Sequence, residues 1–174
     1  QLNGTTLEEL AQAEAAALKR EGFDPLVVEK EQFPRFVIGE SLLPRTMELL
    51  QEVGLVEVVQ AQGYMVKHGA VFMRGEQSCD FDFANQFSLG WKYTYQVPRA
   101  DFDKVVADAV AARGVKFLYG HRVSAVNFVN AHVEAKIVPP DGSSQEVRAR
   151  FVLDCSGYGR VLPRLLDLEA PSSF

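Results

Sequence analysis

The chain has 174 residues, 47% hydrophobic and 24% charged, which suits one globular domain with a real core. Its formal net charge of -5 argues against nucleic acid and anionic membrane surfaces as partners. Cys79 and Cys155 are far apart, and the three histidines (His68, His121, His132) are scattered, so no metal site is expected. With no signal peptide ahead of the fold and no apolar run long enough to span a bilayer, the expectation is a reduced, cytoplasmic protein without an integral membrane segment.

The first predicted element is a helix over residues 6–21. Thr6 and Glu9 have capping-box spacing, Gly22 is a natural stop, and Leu7, Leu10, Ala11, Ala15 and Leu18 form an apolar stripe suited to packing on a sheet. After Pro25, Leu26-Val27-Val28-Glu29 reads as a short buried parallel strand, the second half of a βαβ unit whose first strand is absent from the sequence. Residues 33–44 are an irregular connection, followed by a helix over 45–53 and a further turn over 56–61. Segments 68–75, 79–84 and 92–98 alternate like strands of a separate antiparallel sheet. A second amphipathic helix over 100–113 ends at Gly114 and leads into a strand over 116–119. Residues 121–129, 131–138 and 145–151 read as strands, the last pairing back across Pro139-Pro140-Asp141-Gly142. Residues 151–154 are expected to be a further buried strand, running into the glycine turn Ser156-Gly157-Tyr158-Gly159.

Several residues have a chemical reading beside a structural one. Glu29, at the C-terminal end of a parallel strand, either bonds a ribose hydroxyl or is a solvated carboxylate beside Lys30 and Glu31. Arg35 either faces a phosphate or is a surface charge, and Ser41, in Gly39-Glu40-Ser41, is placed to cap the following helix. In Gln96-Val97-Pro98-Arg99, Arg99 at a strand-to-helix junction either meets an anion or pairs with Asp101 or Asp103. The turn after Asp154 uses Gly157 and Gly159, which let backbone approach a ligand closely. Cys155 has no identifiable activating histidine, and Lys67, before Gly69, has no role that spacing assigns.

The order of these motifs carries more than any one of them. Val-Val-Glu-Lys-Glu-Gln-Phe-Pro-Arg-Phe-Val-Ile-Gly-Glu-Ser-Leu-Leu-Pro (27–44) closely resembles the segment after the second strand in flavin-dependent halogenases and geranylgeranyl-reductase-like oxidoreductases. These form a branch of the p-hydroxybenzoate hydroxylase-type FAD-dependent superfamily. Gln-Val-Pro-Arg-Ala-Asp-Phe-Asp (96–103) resembles that family's second signature. Asp-Cys-Ser-Gly-Tyr-Gly-Arg (154–160) resembles its third, with cysteine where alanine is usual. The resemblance implies an α/β fold: a Rossmann-like FAD-binding domain, incomplete because its first strand and glycine loop are absent, with part of an inserted antiparallel sheet. Residues 1–66 and 99–174 would form the FAD-binding portion and 67–98 part of the substrate-side sheet.

By position, Glu29 would bind the adenosine ribose of FAD, and Arg35, Gly39 and Ser41 would lie along its flavin side. Gln96 and Arg99 would sit near the ribityl and phosphate portion, Val123 would pair its backbone with adenine, and Asp154 and Gly157 would support the cofactor from their turn. Lys67 matches the lysine that halogenases place beside the hypohalous acid product. Family members carry a Gly-x-Gly-x-x-Gly turn where this chain has Thr6-Leu7-Glu8-Glu9-Leu10-Ala11. Glu8 and Glu9 put two carboxylates where the diphosphate would lie, and a like-charge pair about 4–6 Å apart costs on the order of a kcal/mol even when well screened. The chain also stops where the family continues for roughly as many residues again. The expectation is therefore a fragment of an FAD-dependent oxidoreductase acting on an apolar or aromatic small molecule, with NAD(P)H or a reductase supplying electrons. The alternative is a non-catalytic remnant or assembly module that binds no flavin, its exposed sheet edge serving a partner or a homodimer.

Overall fold

The computed structural model describes residues 7–87 and 89–170, the side chains of residues 7–10 excepted. In chain order the elements are α1 (Leu7–Arg20), β1 (Leu26–Glu29), α2 (Pro44–Glu52), α3 (Val56–Gln60), β2 (Met65–Lys67), β3 (Gly69–Arg74), β4 (Gln77–Asp82), β5 (Thr94–Gln96), α4 (Arg99–Ala112), β6 (Lys116–Tyr119), β7 (Arg122–Val129), β8 (His132–Val138), β9 (Gln145–Ala149), a 3-10 turn (Gly157–Gly159) and α5 (Val161–Leu165).

The short parallel strand expected at 26–29 follows its helix as β1, and its partner is the strand after α4. β1 and β6 pair in parallel, Leu26 opposite Lys116 and Glu29 opposite Tyr119, with α4 leading directly into β6. α1 ends where Gly22 takes φ +82, which lets Phe23 N–H reach Leu18 C=O (3.0 Å) and Gly22 N–H reach Lys19 C=O (3.1 Å). From residue 11 onward its buried side is Gln12, Ala13, Ala15 and Ala16, and it packs on α4 and α2. The capping pair Thr6 and Glu9 lies outside the described residues and side chains. The core joins Ala15 and Ala16 to Met47 and Leu50 of α2, Val56 and Val59 of α3, and Phe102, Val106 and Val110 of α4, with Val27 and Phe117 of the parallel pair packed against it.

The strands between residues 65 and 96 are antiparallel, as the alternation of 68–75, 79–84 and 92–98 predicts, but they make two separate pairs. β2 pairs with β5, and β3 pairs with β4 across a two-residue turn at Gly75 and Glu76. Gly75 has φ +60, the sign a tight hairpin turn needs at its first position. β2 has no sequence signature, being only three residues long. β7, β8 and β9 form a meander with a bulge between Val123 and Ala125.

Two local expectations are corrected. Residues 151–154 form no strand, and Phe151 and Leu153 are 72% and 57% exposed. An apolar run becomes a buried strand only where a neighbour completes its ladder, and among the described residues none does. Ser41 does not cap α2: the N-cap is Leu43, with no side-chain hydrogen bond, and Pro44 opens the helix.

Candidate functional site

The C-terminal end of the β1–β6 pair presents Glu29. Its backbone C=O accepts from His121 N–H (3.1 Å), continuing the ladder past the strand, while its Oε1 accepts from Glu31 N–H (2.8 Å). Oε2 lies 3.6 Å from Arg35 Nη2, and both side chains are mostly but not wholly covered. The Arg35 guanidinium stacks over Phe33, 4.9 Å from the ring centre, and Phe33 leans on Tyr119 (5.3 Å), so the irregular segment after β1 is pinned to the strand ends by aromatic contacts. Glu29 and Arg35, two separate candidates in the sequence, are thereby brought together.

A second cluster forms where the 39–42 segment bridges β5. Ser41 and Gln96 make an isolated antiparallel bridge, Leu42 N–H donates to Tyr95 C=O (3.1 Å), and Val97 N–H donates to Glu40 C=O (2.7 Å). Lys67, at the end of β2, donates to Ser41 Oγ and lies over the Phe83 ring at 5.5 Å. Gly39 has φ +116, a conformation L side chains rarely adopt.

Arg99, first residue of α4, is 2% exposed. Its Nε and Nη2 grip Asp103 Oδ1 and Oδ2 at 3.0 and 3.2 Å, and its Nη1 donates to Gly39 C=O at 3.3 Å. Of the two aspartates the sequence offered, Asp103 takes the arginine. Asp101 instead accepts from Tyr64 Oη at 2.7 Å. Burial first, and then that bond to Asp101, push the phenol above its ordinary range. Gln12 of α1 donates to Asp103 C=O (3.2 Å) from across the helix pair. Nothing in its sequence neighbourhood marks Gln12, because a glutamine among alanines looks like a solvated position.

The remaining candidates lie on other elements. Val123 stands at the β7 bulge opposite Ile137. Asp154 accepts from Ser156 N–H (2.9 Å) and Leu162 N–H (2.8 Å), tying the 3-10 turn to α5. Burial alone would raise its pKa, but the bonds from Ser156 and Leu162 more than offset that and hold the carboxyl below its ordinary range. Gly157 has φ +55, and a Cβ placed there meets nothing within 4 Å, so the backbone of this turn faces open space. Cys155 is pushed up to about 11 by burial and then by Glu14 and Asp154, which leaves it a protonated, unreactive thiol near neutral pH.

These groups suit the ribose and turn-contacting parts of a dinucleotide. Glu29 is an acceptor-only carboxylate at a parallel strand end, and the glycine turns bring bare backbone to the surface. Residues 6–11 contain no glycine. The Glu8 and Glu9 side chains lie outside the described ones. Among the described residues no cluster of His, Cys, Asp or Glu fits a metal ion, and no helix is long and apolar enough to cross a membrane.

The fold is that of an α/β protein of the Rossmann-like flavin-binding kind. Residues 13–172 match the FAD binding domain family, and the chain belongs to it. Among curated relatives it is 35% identical over 145 residues to a tryptophan 2-halogenase of Chondromyces crocatus, covering 82% of this chain and 27% of that protein. It is 30% identical to a 1H-pyrrole-2-carbonyl-[peptidyl-carrier protein] chlorinase of Pseudomonas fluorescens, covering 89% and 38%. Among solved structures, a flavoprotein/dehydrogenase from Cytophaga hutchinsonii superposes with TM-score 0.90 at 46% identity, over 95% of this chain and 41% of that one. The flavin-dependent halogenase CmlS gives 0.84 at 31%, over 91% and 29%. The chain thus spans between about a quarter and two fifths of the length of these relatives.

Proposed function

We propose that this chain is the FAD-holding part of a flavin-dependent oxidoreductase that acts on an apolar or aromatic small molecule. The observation that carries the reading is the agreement of 95% of the chain with a solved flavoprotein at 46% identity, and the Glu29 strand end supports it. In this reading Glu29 binds the adenosine ribose, the Val123 backbone meets adenine, and Asp154 and Gly157 hold the turn against the cofactor. Arg35, Gly39 and Ser41 follow the flavin side, with Gln96 and Arg99 near the ribityl and phosphate portion. Arg99, engaged with Asp103 and Gly39, acts there by fixing backbone. Residues 1–66 and 99–174 form the cofactor portion and 67–98 the substrate side, where Lys67 presents an ammonium oriented by Ser41 and Phe83.

FAD, when bound, supplies the redox chemistry, with electrons from a nicotinamide cofactor or a reductase, and the protein contributes binding and orientation. Relatives that halogenate tryptophan and pyrrole rings favour an aromatic substrate. The test is titration of the full chain with FAD, read by flavin fluorescence. Saturable binding is expected, and Glu29→Ala should weaken it roughly tenfold, equivalent to about 1.4 kcal/mol. A protein that ignores excess FAD overturns the reading.

A second reading, an assembly module that pairs with another copy, is favoured by one observation. The β3–β4 hairpin exposes Val71, Phe72, Met73 and Phe81.

A further inference from the structure

Arg99 and Asp103 form a charge pair as deeply buried as the apolar Leu42, Val97, Phe102 and Val106. Such a pair contributes little net stability, because the desolvation of both charges offsets most of their attraction, and apolar residues of similar volume serve a core as well or better. Its presence is explained by what the third arm of the guanidinium does. With two N–H groups held by Asp103, the fork cannot rotate, and Nη1 is aimed at Gly39 C=O. That carbonyl belongs to the glycine at φ +116 that opens the bridge to β5. Gln12 completes the chain by fastening α1 to Asp103 C=O.

We propose that Asp103 is a positioning residue. It locks Arg99 so that the guanidinium fixes the Gly39–Glu40 peptide, and with it the 39–42 segment that carries Ser41 to Gln96. Gln12 sets α1 in the same frame. The consequence for cofactor affinity rests on the FAD reading above, whereas the fixing of the segment does not.

The deciding variant is the apolar double replacement R99M/D103L in the full chain. A pair that served folding alone would be replaced without consequence, so this variant should keep a wild-type or higher urea midpoint under either view. If Asp103 positions the segment, amide hydrogen exchange of Leu42 and Val97, whose N–H groups close the bridge, should quicken at least tenfold. Val110 N–H, within α4, should not change. FAD affinity should fall at least tenfold alongside. Unchanged exchange at Leu42 and Val97 in the folded double variant overturns the proposal. Should that variant not fold, Asp103→Asn keeps the test, since the amide offers one acceptor oxygen where the carboxylate offers two and turns a donor toward the other N–H, and unchanged exchange there overturns it equally. A wild-type protein that ignores FAD removes the cofactor reading and leaves exchange to decide the positioning role.

Discussion

Asp154 shows how a single carboxylate organises a turn. Its two oxygens take the Ser156 and Leu162 N–H groups, donors that the short helical turns leave without partners of their own. Asp154→Ala should therefore cost about 1–2 kcal/mol in chemical denaturation at neutral pH. Because the folded pKa is depressed, the carboxylate's contribution is complete above the unfolded value and is lost as pH falls through the folded one. The gap between wild type and variant should be constant near neutrality and close below about pH 4. A gap that persists in acid would mean that the loss comes from packing. The motif was readable as a glycine turn after an acidic residue. That the acid holds the turn itself was not, because Leu162 lies eight residues downstream.

The elements divide into those that bury their apolar residues and those that do not. Met47 in α2 is fully buried, whereas Met73 in β3 is 75% exposed on a hairpin with solvent on both faces. The same substitution should then cost very different amounts in urea unfolding: Met47→Ala about 2–5 kcal/mol, Met73→Ala within about 0.5 kcal/mol. Equal losses would show that the hairpin packs against something in solution. β1 and β6 were legible because each is a short apolar run between breakers, Pro25 before one and Gly114 and Gly120 around the other. Residues 151–154 have the same signature and form no strand, since periodicity reports a wish for burial and not the presence of a cover. β2 was illegible for the opposite reason: three residues hold no period, and its pairing with β5 depends on a partner 27 or more residues away.

At the scale of the whole molecule, an acidic chain of net charge -5 exposes Phe72, Phe81, Phe87 and Leu89. Exposed apolar surface is the raw material of a contact face, and the assembly reading takes these residues as one. The assembly reading predicts a concentration-dependent species in sedimentation velocity that Phe72→Lys disperses, and a strictly monomeric protein at all concentrations would end it. The three ordered motifs determined the family from the sequence alone, because each is a local string whose spacing survives without coordinates. The same strings left Arg99 open between an anion, Asp101 and Asp103. Only the tertiary structure showed which aspartate takes it, and it brought Gly39 from 60 residues away to the guanidinium and Gln12 from 91 residues away to Asp103. A buried fork of five donors takes whichever acceptors the packed helices deliver, and that delivery is a property of the core and not of any segment within it.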